Sequence, residues 1–344
     1  MMEHYERNPY LEEINAGIAG IVSLIANCTL LYATSKVKSY SDTVRWSQYN
    51  FCLFRLLFSG FVIVTAPTII YFPEINALYI VKGGIPLPRE IGVLILNLFV
   101  VFVVTSCTGP MIQYLQVAYV LSNPALKSHC VLRTLLSLSS LFVAIPTFIL
   151  ILIGYTPSQY EAQISEDFIR EISLEEESTY LMAPEDKIFN AEAHKADHNH
   201  AARICTIFIF TVMIFSVLVI ILCFSHIQSE MRKKTRSNQT LKSQRQVNIL
   251  LMVQFIFPFF TIHIPFYTAF IMPYVDLEFE ILSANLPYLF SWSPAINPIL
   301  VIFLVKNVRD TLPCRKKIMI RRSTIGLTLT PNARNSLSLT KYKF

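Results

Sequence analysis

The sequence predicts an all-α membrane protein, a seven-transmembrane helix bundle with its N-terminus outside and its C-terminus cytoplasmic. Three observations lead there. Of the 344 residues, 53% are hydrophobic and 15% charged, with a mean hydropathy of +0.48. A soluble domain carries about 25% charged residues and needs them to cover its core. Seven apolar stretches each reach the length that crosses the hydrocarbon, about 20 residues at 1.5 Å apiece. The cations, 21 of the 29 Lys and Arg, gather in the segments on one side of those stretches, where Asp42, Glu230 and Asp310 are the only acids.

Residues 1–13 form a short extracellular N-terminus. Glu3, Glu6, Glu12 and Glu13 outweigh Arg7 there, the wrong charge for a cleavable signal peptide. The transmembrane domain covers 14–305, with spans at about 14–33, 49–72, 90–121, 131–155, 203–224, 247–272 and 282–305. Span two carries Arg55, read as a side chain near the helix end that snorkels to the interface. Span three is long and therefore tilted. Span four contains Pro146, span six Pro258 and Pro265, and span seven Pro287, Pro294 and Pro298. A proline inside a water-exposed helix costs roughly 3 kcal/mol. In a membrane, neighbouring helices and Asn or Ser side chains can take up the carbonyls it frees.

The positive-inside rule assigns the basic side to the cytoplasm. It includes the loop 225–246, with Arg232, Lys233, Lys234 and Arg236, and the basic tail 306–344. The net charge of +6 is thus a topology signal, and no nucleic acid partner is implied. The outer loop 156–202 carries eleven acids and ends in His194, His198 and His200. Histidines at that spacing with flanking acids would suit Zn²⁺ or Cu²⁺. A solvated polar loop is the simpler reading, and no metal is assigned. The seven cysteines show no metal spacing, and no cofactor is expected.

Apart from Glu90 at the end of span three, no span holds an Asp or Glu, and no nucleophile, Walker or metalloprotease motif occurs, so an enzyme is not expected. Ion-coupled carriers place ionisable groups near the midplane, so a membrane transporter or ligand-gated channel subunit stands only as the alternative to a receptor. The polar residues inside the spans are few, and interhelical hydrogen bonding is their ordinary role. Depth sorts them. Asn97, His263, Tyr288 and Trp292 fall toward the outer half and are the ligand-binding candidates, in aromatic walls suited to a mostly apolar small molecule. Asn27, Gln254 and Asn297 fall toward the inner half, where they would link spans one, six and seven.

Span six reads LLMVQFIFPFFTIHIP and span seven SPAINPILVIFLVKNVR. The Gln254–Pro258–Pro265 spacing and the Asn297–Pro298 segment ending in Arg309 resemble the sixth and seventh spans of nematode serpentine chemoreceptors of the Str superfamily, seven-transmembrane G-protein-coupled receptors. The resemblance covers all seven spans in layout and is specific over about 244–309. It implies an odorant-like ligand, a heterotrimeric G protein as partner, and the plasma membrane as location, a sensory cilium included. Asn27, Gln254, Pro258, Pro265, Asn297 and Pro298 become switch and packing residues. Arg232, Lys233, Lys234 and Arg236 become the G-protein-facing set. Cys314 is a juxtamembrane lipidation candidate. Three departures from rhodopsin-type receptors stand out. Gln116-Val117 occupies the place of a Tyr-Arg, Val301 replaces the tyrosine after Asn297-Pro298, and Cys107 lies about 26 Å down span three with no cysteine in the outer loop to pair with.

Overall fold

The computed structural model describes residues 9–37, 40, 42–72, 77–122, 130–157, 179–184, 193–233, 238–275 and 280–312. Its long helices are α1 (Pro9–Lys36), α2 (Asp42–Thr65), α3 (Arg89–Ser122), α4 (Cys130–Gly154) and α5 (Ala193–Lys233). Then come α6 (Asn238–Pro258), a π-helical turn (Phe259–His263) and α7 (Ile264–Val275), which follow one another without a break. The last are α8 (Glu280–Leu304) and the short α9 (Lys306–Arg309). With α6, the π turn and α7 counted as one, the described residues form seven long helical segments that alternate in direction. Among the described residues, six contain an apolar stretch long enough to span a membrane, and α4 contributes the shorter apolar run Ser140–Gly154. Their outward faces are apolar as well, for example Ile14, Ile18 and Ile21 on α1 and Phe215, Leu218 and Leu222 on α5. That is the surface a helix presents to lipid rather than to water.

The ends of the elements differ from the sequence reading. Span two stops at Thr65, and Thr68–Phe72 is strand β1, paired antiparallel with β2 (Ala77–Val81), which pairs in turn with β3 (Tyr180–Pro184). The β-branched, aromatic run of β1 looks like more membrane helix by hydropathy. Pro67 marks the break, because proline cannot continue a helix and disfavours helical backbone before it. At that break Ala66 takes φ 34°. The connection back requires Gly84, at φ 63°, where an added Cβ would stand 2.8 Å from the Val64 carbonyl. The loop 225–246 is also mostly helix, since α5 runs to Lys233 and α6 starts at Asn238. The outer loop 156–202 contains β3 and the first turns of α5, on which His194, His198 and His200 fall.

The sheet closes one end of the bundle. Ile69, Leu78, Ile80 and Leu181 are buried in the same apolar cluster as Phe58, Phe99, Phe266, Phe270 and Phe290 from the helices. Thr68 Oγ1 donates to Glu12 on α1 at 3.2 Å, and Met182 N donates to the Tyr155 carbonyl at 2.8 Å, so α1 and the end of α4 are tied to it. At the opposite end, the tail end, the Lys306 N–H donates to Gln246 on α6 at 2.8 Å and Thr311 donates to the Ala33 carbonyl at 3.3 Å. Leu30, Cys52, Leu250, Val301 and Val305 pack together between these anchors.

The start of α2 at Asp42 corrects the reading of Arg55. That residue lies thirteen positions into the helix, about 20 Å along it, and is 5% exposed. It faces the bundle interior and does not snorkel.

Candidate functional site

The centre of the bundle below the sheet is aromatic. Phe99 of α3 touches Phe58 of α2 (5.9 Å between ring centres) and Phe290 of α8 (5.4 Å, edge-on). Phe266 of α7 packs on Phe290, Phe270 and Tyr267. Phe210 of α5 meets Tyr267 edge-on at 5.1 Å. The cluster is therefore built by α2, α3, α5, α7 and α8, and ring-on-ring contacts of this kind contribute about 0.5–1.5 kcal/mol each beyond burial.

His263 sits at the edge of this cluster, on the π turn. The turn lies between Pro258 and Pro265 for a steric reason: the Pro265 ring would collide with the Thr261 carbonyl in a regular α-helix. Widening the pairing to five residues, as in the bond from Ile264 N–H to the Phe259 carbonyl, moves that carbonyl aside. One effect is to turn His263 inward, fully buried, with Nε2 3.4 Å from Ser106 Oγ of α3 and the ring 6.4 Å from that of Tyr267. Its Nδ1 has no hydrogen-bond partner. Tyr267 lies against the Cys107 thiol. Two residues before His263, Thr261 meets Ser293, their hydroxyls 3.2 Å apart, linking the π turn to α8. Aromatic walls with an unpaired imidazole nitrogen at their rim are the kind of groups that contact a small uncharged molecule and orient it with one hydrogen bond.

The four ligand-binding candidates do not converge. His263 is central. Asn97 turns to α4, where its Nδ2 donates to the Phe148 carbonyl at 3.4 Å. Trp292 donates its indole N–H to Asn15 of α1 at 2.8 Å, and Tyr288, one turn away on the same stripe of α8, is 37% exposed. The inward stripe of α8 is instead Phe290, Ser293, Asn297 and Val301, at spacings of three and four. Nothing in the sequence marks Phe99, Ser106, Phe210 and Phe290 as site residues. Their only sequence signal was position on a span, which does not tell the inward face from the lipid face.

The switch and packing residues form definite pairs. Asn27 donates to the Pro294 carbonyl at 3.1 Å, as well as to Ser23 on its own helix. Pro298, four residues after Pro294, has no N–H, so Asn27 takes up the carbonyl that Pro298 frees. Gln254 joins α6 to α2, not to spans one and seven: its amide and that of Gln48 exchange two hydrogen bonds, at 3.0 and 2.7 Å, with both side chains buried. Asn297 is completely buried and neither side-chain polar atom has a partner. At the tail end, Arg232 is exposed at the close of α5 and Lys233 ends that helix. Lys234, Arg236 and Cys314 lie outside the described residues. There, too, Ser122 of α3 and His226 of α5 meet at 2.8 Å, and Gln116 is buried. Among the described residues there is no cluster of metal-ligating side chains, and Cys28, Cys52, Cys107, Cys205 and Cys223 are free thiols.

Comparison with known proteins shows both a family and a fold. The model of the family described as serpentine type 7TM GPCR chemoreceptor Str matches residues 12–312. Among solved structures, squid rhodopsin is similar at a TM-score of 0.55 and 14% identity, over 94% of this chain and 86% of that one. At that identity the likeness is one of fold. No curated protein matches the sequence.

Proposed function

Because the chain belongs to the serpentine type 7TM GPCR chemoreceptor Str family, we propose that it is a chemosensory receptor in which a small odorant-like molecule, bound among α3, α5, α7 and α8, activates a heterotrimeric G protein. Family and fold are those of multi-pass membrane receptors. The observation that carries the ligand reading is His263. It is buried at the rim of an aromatic cage, carries a free ring nitrogen, and sits on a π turn flanked by two prolines. A molecule bonded to His263 acts directly on the point where the sixth span is least regular. It shifts the receptor toward a second arrangement of α6 only by binding that arrangement better. The ligand class this cage suits is small, mostly apolar and uncharged, with a single hydroxyl or carbonyl group.

In this reading the sheet end faces outside, as the charge distribution suggests, and the tail end meets the G protein, with Arg232, Lys233, Lys234 and Arg236 supplying positive charge. The plasma membrane, including a sensory cilium, is the location that goes with such a role. The test is a panel of volatile alcohols, ketones and aldehydes applied to cells expressing the receptor, with calcium or cAMP as readout. Active compounds should lose at least tenfold in potency on His263→Ala at equal surface level, and all responses should vanish with a G-protein inhibitor. A ligand-gated current that persists under the inhibitor would refute the receptor reading. Unchanged potency in His263→Ala would remove the site.

A further inference from the structure

We propose that the interior of the bundle holds a small monovalent anion, of which chloride is the abundant example, between the guanidinium of Arg55 and the amide of Asn297. Arg55 lies midway along α2, 5% exposed, with its Cζ 3.9 Å from the centre of the Phe51 ring and with Nη1 and Nη2 both lacking a hydrogen-bond partner. A guanidinium keeps its proton in a protein. The only buried acid among the described residues is Glu12, which is bonded to Thr68 beneath the sheet. Among the described residues, then, the interior carries a positive charge with no buried acid beside it, an arrangement that is costly unless an ion of opposite sign joins it.

Asn297 is the second, independent sign. It is wholly buried and both its amide nitrogen and oxygen are unpartnered. The two groups lie at one level. Phe58 and Phe290 both rest on Phe99. The guanidinium stacks at Phe51, seven residues from Phe58 toward the tail end. Asn297 is seven residues from Phe290 in the same direction, so each lies about 10.5 Å from the shared aromatic layer. Cys52, three residues before Arg55, and Val301, four residues after Asn297, belong to one apolar cluster, and α2 packs against α8. The site offers two guanidinium N–H edges and an amide N–H, all donors, with an aromatic ring behind the guanidinium.

That chemistry selects the ligand. A cation is repelled. Desolvation cost grows steeply with charge, so sulfate and phosphate are disfavoured against a monovalent ion. A lipid headgroup cannot reach a point about 15 Å from either interface. A free halide-sized anion remains. By linking α2 to the Asn297–Pro298 segment of α8, it stabilises the packing seen here.

The test uses the full chain, purified into phosphatidylcholine nanodiscs. Thermal unfolding is followed in potassium gluconate while chloride, bromide or nitrate replaces gluconate at constant ionic strength. Expected is a saturable rise of several degrees with chloride and bromide, lost in Arg55→Met and at least halved in Asn297→Leu. Chloride NMR line width on the unaltered receptor is the second measurement: broadening that bromide displaces is expected, whether or not the variants fold. Equal unfolding temperatures in chloride and gluconate, a rise that sulfate matches, a rise retained in Arg55→Met, or the absence of displaceable broadening would each overturn the proposal.

Discussion

Asn27→Ala removes the donor that occupies the Pro294 carbonyl at 3.1 Å. That carbonyl lies at a buried position on α8, and the residue that would normally serve it, Pro298, has no N–H to give. Hydrogen bonds between membrane helices average about 0.6 kcal/mol and reach about 1.7 kcal/mol, while stranding a buried acceptor costs about 1–3 kcal/mol. With no backbone substitute available, the loss belongs near the top of the first range, about 1.5 kcal/mol. Pro298→Ala changes the arithmetic, because the alanine N–H can close the ordinary bond to the Pro294 carbonyl. In that background Asn27→Ala should cost no more than about 0.5 kcal/mol, leaving a coupling of about 1 kcal/mol. The assay is reversible unfolding of the four proteins in mixed micelles, followed by helix content. Equal losses in the two backgrounds would mean that Asn27 is only a packing residue and that the freed carbonyl has another solution.

The Gln48–Gln254 exchange predicts a compensating pair. Gln254→Leu or Gln48→Leu alone strands a buried amide and should lower stability by about 1–2 kcal/mol. The double change to Leu should recover more than half of that loss, and an additive double variant would argue against the pairing. Trp292→Phe deletes the bond to Asn15, so it should loosen α1, read as faster amide exchange or proteolysis near Asn15, while agonist potency stays within threefold. A tenfold loss of potency would return Trp292 to the ligand site. Gly84→Ala forces a side chain into left-handed backbone beside the Val64 carbonyl and should cost about 1–2 kcal/mol, measured by thermal unfolding. No change would show that the β1–β2 connection is not held as described.

The residues differ in how much of their role could be read before folding. Length and hydropathy place the helices, because a membrane span must hide about 20 residues from water, whatever it packs against. The prolines announce the irregular places, and the need for an Asn to serve a freed carbonyl follows from the missing N–H alone. Asn27 meets that expectation at Pro294. The ends are less legible. The strand Thr68–Phe72 is as apolar as a helix: Pro67 marks where the helix must stop, but only the pairing with Ala77–Val81 makes the next residues a strand. With α2 starting at Asp42 and not near residue 49, Arg55 moves from the interface to the midplane.

By itself, then, the sequence determined a seven-span membrane chain, the basic side of it and the kinked sixth and seventh helices. Only the tertiary structure decided the partners and the faces: Gln254 with Gln48, Trp292 with α1, His263 with Ser106 and Tyr267, and Arg55 beside no acid among the described residues. The physical reason is that a helix in lipid is apolar all round. In water, polarity marks the outside of a helix. In a bilayer the lipid side and the packed side both read as hydrophobic, so the rotation of each span is set by contacts that exist only once the helices have come together.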